Sequence, residues 1–350
     1  MIPATSILVV LPHDSLVETA MAGAIDLARK TGAALTLVDV VGGIQGELGQ
    51  RMAAVSGLRI VEIEEDVLAY HRDRLAGLAK RARFEGVKVS EAVLHGIPHV
   101  EVVRMVLREG PDILIKGATL APEGEGILDA VDMNLLRACP CPVWLLTRDS
   151  APPARLLAAI AAEEASDDTR AGLDRQVLDC AVGFRDHGAE IAVVHAFTLP
   201  GELALRHGRF AAARNGDVDR LAAEARALAQ DRVDQLMADY PQVERDRVIV
   251  AQGESATVIA AQTGKTGADT LVMGTVGRIG LPCAIIGDTA QSVLSRITCS
   301  VIALKPEGFV SPVTLDMADE TRLRQMHPGT RTRRAAMIGA GQERGGPGWH

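Results

Sequence analysis

From Met273 to Leu294 the chain reads MGTVGRIGLPCAIIGDTAQSVL. Gly274, Gly277 and Gly287 have the spacing of a loop whose backbone N–H groups cradle a phosphate. The residues after Gly287 read as a helix start, where unpaired N–H groups and the helix dipole also favour an anion. Asp288 opposes that chemistry. An aspartate at a helix start is a preferred cap that takes up the free donors, and a carboxylate within about 4–6 Å repels a second anion. Two readings follow. In the favoured one Asp288 is the N-cap of a loop that turns on glycine; in the other the loop holds a triphosphate, with Thr289 supplying the hydroxyl.

Lys116 ends a strand-like run, DILIK, at a position where the second half of the chain has Met273. A buried ammonium needs a partner. It either anchors an acidic ligand or pairs with Asp129 or Asp132, with Asp14 a less favoured partner; pairing within the chain is the favoured reading. His95 and His99, in HGIPH, have a metal-like separation, but Gly96 and Pro98 interrupt the helix that would align them. CPCP (139–142) lacks the two-residue gap of a zinc knuckle or redox motif and reads as thiols at a strand entrance. No nucleophile elbow, zinc-protease pair or Ser/His/Asp arrangement has recognisable spacing, so nothing argues for catalysis.

The elements that must position these residues come in two copies. GAALTLVDV at Gly32 returns as GAEIAVVHA at Gly188, 156 residues on. DILIKGA at Asp112 returns as DTLVMGT at Asp269, 157 on, and CPVWLLT at Cys141 as CSVIALK at Cys299, 158 on. The order and near-constant spacing make the chain a tandem duplication. Short branched runs predict strands at 7–11, 34–40, 87–94, 112–116 and 142–146, and again at 156–160, 190–196, 246–252, 269–273 and 300–304. Amphipathic stretches such as Leu16–Thr31 and Glu62–Glu85 lie between them. Apolar strands alternating with helices predict an α/β fold of two doubly wound, parallel, five-stranded sheets. The expected partition is a first domain over 1–148, a Pro-rich linker over 149–153, a second domain over 154–315 and a tail over 316–350 that is disordered past Pro328. In such folds ligands bind beyond the carboxyl ends of the strands, where strand order reverses.

Composition narrows the class. A net charge of −8 gives no support for a nucleic-acid surface. No apolar run approaches the roughly 20 residues of a membrane span. Five irregularly spaced cysteines and a start without a basic leader are read as a cytoplasmic protein with reduced thiols.

GTVGRIGLPCAIIGDTAQSV, DMNLLRACPCPVWLL and KPEGFVSPV together make roughly residues 4–315 resemble the tandem branch of the universal stress protein family. The resemblance implies that Asp14, in LPHDS, matches an aspartate that contacts adenine in ATP-binding members. It implies a phosphate role for Gly274, Gly277, Gly287 and the residue pair after it. The two sets fall in different halves: the first half lacks the glycine signature, and the second has Glu163 and Glu164 where an aspartate is sought. It also implies that the last strands, PVWLL and SVIAL, pair with each other as an intramolecular pseudo-dimer, which would cover two exposed edges. The expected function is a non-catalytic stress-response module that binds a small ligand or a protein. ATP held weakly, as a switch or slow ATPase, and a lipid-like ligand at the apolar LPCAII segment are the alternatives.

Overall fold

The computed structural model describes residues 4–11, 16–42, 51, 54–56, 59–118, 128–147, 153–162, 168–185, 188–207, 211–275 and 286–315. The expected linker, apart from Pro153, and the expected tail lie outside these residues.

The first half runs β1 (Ser6–Val10), α1 (Leu16–Thr31), β2 (Ala34–Val41), α2 (Ile60–Phe84), β3 (Val89–His95), α3 (Pro98–Glu109), β4 (Ile113–Gly117), α4 (Ala130–Ala138) and β5 (Val143–Leu146). The second runs β6 (Arg155–Ile160), α5 (Asp168–Arg185), β7 (Glu190–Phe197), α6 (Glu202–His207), α7 (Ala211–Met237), β8 (Val248–Gln252), α8 (Ser255–Thr266), β9 (Thr270–Gly274), α9 (Asp288–Leu294) and β10 (Ser300–Leu304). Local chemistry explains these boundaries. Helix α1 buries Ala20, Met21, Ala24, Leu27 and Ala28 on one face, has Glu18 in its first turn and carries Arg29 and Lys30 in its last. It stops at Gly32, whose φ of 74° lies in the left-handed region and whose N–H bonds Ala28 O at 2.8 Å. Helix α3 opens on Pro98 and ends at Gly110, φ 58°.

Strands β1 to β4 pair in parallel, and β4 pairs in parallel with β5; β6 to β10 repeat the scheme. The halves meet through their last strands. β5 and β10 pair antiparallel, with Val143 opposite Ala303, Trp144 opposite Ile302 and Leu145 opposite Val301. The expected five-stranded sheets therefore join as one ten-stranded sheet, ordered β3-β2-β1-β4-β5-β10-β9-β6-β7-β8. No edge remains at the junction.

Each face of the sheet carries a core shared by both halves. On one, Met21 and Leu27 of α1 and Leu75 of α2 belong to the same apolar cluster as Val177 and Leu178 of α5 and Val233 of α7. Trp144 is 1% exposed and meets Phe184 of α5 edge to face, with centroids 5.4 Å apart. On the other face, Val102 and Val106 of α3 and Leu135 of α4 share a cluster with Ile259 of α8 and Val293 of α9. The chain beyond β10 then crosses back to the first half: Ser311 Oγ donates to Ala138 O at 2.7 Å, and Arg104 Nε donates to Thr314 O at 3.3 Å.

Candidate functional site

The strand order places a switch point in each half, between β1 and β4 and between β6 and β9. In the first half the carboxyl end of β4 carries Lys116, which is buried. Its Nζ lies 2.6 Å from Asp132 Oδ1 and donates to Gly117 O at 3.0 Å. The two side chains are 7% and 0% exposed. Helix α4 brings Asp132 inward because Asp132, Leu135 and Leu136 share its buried face. Asp129, the other expected partner, is the N-cap and accepts from Asp132 N at 2.7 Å. The ammonium is thus neutralised from within its own half. Asp14 lies outside the described residues.

In the second half Gly274 ends β9. A Cβ there would stand 2.5 Å from Leu173 Cδ2, so helix α5 rests its leucine where a side chain would be. This glycine has a packing reason independent of any phosphate. Gly274→Ala is expected to cost about 1–3 kcal/mol by overpacking, read as a shift in the urea midpoint with an unchanged slope; a loss below about 0.5 kcal/mol would show that Leu173 swings aside freely. Gly277 lies outside the described residues. Gly287 N–H bonds Thr275 O at 3.0 Å, which closes the base of the loop.

The expected cap is corrected. Gly287, not Asp288, is the N-cap of α9, and its carbonyl accepts from Gln291 N at 3.0 Å. Gly287 stays extended, so the helix begins at Asp288, one residue earlier than an Asp288 cap would give. Asp288 and Thr289 are exposed. Gly287 has no side chain to cap the first turn, and Asp288, being past the cap position, does not take up its donors as an N-cap would. The negative charge remains.

Three constellations were not visible in the sequence. Asp174 of α5 is buried and accepts from Ala161 N and Ala162 N, both at 2.8 Å, at the carboxyl end of β6. It holds Ala162 in a left-handed conformation, φ 43°, that alanine rarely adopts. A carboxylate thus does stand at the end of the second half's first strand, but it comes from the following helix and is committed to the backbone. Glu163 and Glu164 lie outside the described residues. Asp39 of β2, fully buried, is 2.7 Å from His71 Nδ1 and from Arg74 Nη1, which fastens α2 to the sheet. Lys305, just past β10, is 8% exposed with its Nζ lacking a hydrogen-bond partner. None of these has a local signature: the partners of Asp174 and Asp39 come from other elements, and among the described residues the Lys305 ammonium has no hydrogen-bond partner.

The remaining motifs do not converge. His95 is at the exposed end of β3, and His99 is in the first turn of α3, where partial burial lowers its pKa. Among the described residues no group of three or more His, Cys, Asp or Glu could hold a metal ion. No described helix is long and apolar enough to cross a membrane.

Comparison with known proteins agrees with this architecture. The model of the universal stress protein family matches residues 4–147 and again 155–305. Universal stress protein E of Escherichia coli K12 is 26% identical over 252 residues, which are 69% of this chain and 77% of that protein. The Salmonella typhi protein of the same name is 26% identical over 256 residues, 71% and 79% of the two chains. A putative universal stress protein from Pseudomonas aeruginosa UCBPP-PA14 superposes with a TM-score of 0.66 at 23% identity, covering 93% of this chain and 98% of its own. The chain belongs to the universal stress protein family and carries two of its domains in tandem, as a relative similar to universal stress protein E.

Proposed function

We propose that the protein serves the stress response as a non-catalytic binding module for a small ligand or a protein, and not as a nucleotide switch. The observation that carries this reading is the Lys116–Asp132 pair, which fills the first half's switch point with the chain's own charges. A nucleotide there would have to displace a buried carboxylate from its ammonium. In the second half, Asp288 sets a negative charge beside the loop that would receive a triphosphate, and Asp174 sets another at the end of β6. Mass spectrometry of the native protein as purified from its own cells tests this. The expected spectrum has no adenine nucleotide; an ATP or ADP mass retained under native conditions would overturn it.

One observation favours the alternative. The N-cap of α9 is a glycine, which brings no side-chain cap of its own to the first-turn N–H groups. Charge is then the main barrier, and Asp288→Ser removes it. That substitution is expected to raise ATP affinity by about tenfold, or about 1.4 kcal/mol, at low ionic strength and by less at high salt. Parallel titrations at two salt concentrations check it. An unchanged affinity would move the barrier away from Asp288.

A further inference from the structure

The segment KPEGFVSPV follows β10 and has no part in the switch points. Its first residue, Lys305, is unusual: a buried cation without a hydrogen-bond partner, with Nζ 4.9 Å from the centroid of the Phe309 ring. Among the described residues no carboxylate pairs with it. Its surroundings follow from the junction of the halves. The ladder pairs Val301 with Leu145 and Ala303 with Val143 and ends there, so Lys305 follows β10 beside the entrance of β5, where Cys139 is the thiol that acts on it. Val301 and Ala303 belong to the apolar cluster that contains Cys139 and against which Cys141 packs, and Lys305 alternates onto that same face. Cys139 Sγ and Cys141 Sγ are 3.5 Å apart. The strap from Lys305 to Leu315 closes over this corner and is held by Ser311 on Ala138.

We propose that Cys139 and Cys141 are a peroxide-oxidisable dithiol, and that Lys305, beside Cys139, is the positioning residue that accepts the proton released from the thiol pair. Cys141 is the partly exposed residue and Cys139 the buried one, which assigns the order. The Cys141 sulfur attacks one peroxide oxygen as its proton passes through the hydrogen-bonded Cys139 sulfur to the neutral Lys305 amine. The O–O bond breaks, the departing hydroxide takes that proton back from Lys305 and leaves as water, and Cys141 becomes a sulfenic acid. The Cys139 sulfur then displaces the sulfenic oxygen as a second water, and the S–S bond forms. Two thiols lose two electrons and two protons, and one hydrogen peroxide becomes two waters. The sulfurs need to approach from 3.5 Å to a bond of about 2.05 Å.

The electrostatics agree with this geometry. The hydrogen bond with Cys139, together with burial, holds the Cys141 thiol well above its ordinary value, so attack needs a proton acceptor. Burial brings Lys305 down to about 8, against a weaker opposite pull from Cys139. A fraction of the amine is therefore neutral near neutral pH and most of it above pH 8. The duplication supplies an internal control. At the equivalent corner, that of Cys299, Thr147 stands in place of the lysine and Ile297 replaces the second cysteine. The Cys299 thiol is pushed up to about 11 and that of Cys180 to about 12, both mainly by burial.

The test is peptide mapping of the full chain after treatment with excess hydrogen peroxide. The expected product has lost two hydrogens, carries a Cys139–Cys141 disulfide and returns to the dithiol with dithiothreitol. Cys139→Ser should stop at a Cys141 sulfenic acid that a dimedone probe labels. Lys305→Met should reach the same disulfide at least about tenfold more slowly, and natural-protein oxidation should accelerate as pH rises through 8. Persistence of both thiols in excess peroxide, or a disulfide that involves Cys180, Cys283 or Cys299 instead, overturns the dithiol. An unchanged rate in Lys305→Met, or a pH-independent rate in the natural protein, overturns the role of Lys305.

Discussion

Lys116→Met is expected to cost about 3–5 kcal/mol, although the substitution matches Met273 at the equivalent place in the second half. The loss comes from the partner. Asp132 is 0% exposed, so without Lys116 its carboxylate stays buried without its cation or must take up a proton. The double variant Lys116→Met/Asp132→Leu removes both charges and should recover most of the loss, since apolar replacement of a buried pair is often near neutral. Urea denaturation of the three proteins measures this. A cost below about 1 kcal/mol for the single variant would mean that water reaches Asp132 and that the switch point is open, which would weaken the functional reading with it.

Trp144→Ala should cost a similar amount, about 3–5 kcal/mol, for removing a large side chain from a core that collapses poorly. The position carries more than its own burial. Trp144 belongs to the first half, stands opposite Ile302 of β10 and packs edge to face on Phe184 of α5 in the second half. A cavity there strikes both halves at once. Because each sheet face has one core common to the two halves, the natural protein is expected to unfold in a single cooperative transition, and the variant in one transition at lower denaturant. Two separated transitions in the natural protein would show that the halves are stable apart and that β5 and β10 merely touch.

Much of this architecture was legible. Strand positions followed from branched runs of the right length, and SVIAL at 300–304 matches β10 residue for residue. The pairing of PVWLL with SVIAL was implied by the family resemblance, and it covers two apolar edges that would otherwise be exposed. The candidate site was legible only in part, and for a physical reason. That Lys116 needs a carboxylate follows from its place in a buried strand; that Asp132 supplies it depends on the phase of α4, which puts Asp129 at the cap and Asp132 on the inner face. Asp288 looked like a cap because aspartate favours that position, yet Gly287 takes the cap and the helix starts at Asp288 itself. Asp174, Asp39 and Lys305 find their surroundings across elements distant in sequence, and periodicity does not report such meetings.

Isothermal titration of the natural protein with Mg-ATP tests the central claim most directly, because it asks whether a first switch point filled by Lys116 and Asp132 and a second flanked by Asp288 leave a place for a nucleotide. The charge of Asp288 should keep the second half from binding tightly at neutral pH. The predicted result is no saturable heat at micromolar ATP. Saturable binding with a dissociation constant near 1 μM, equivalent to about −8.2 kcal/mol, would contradict it, above all if Asp288→Ser left that constant unchanged.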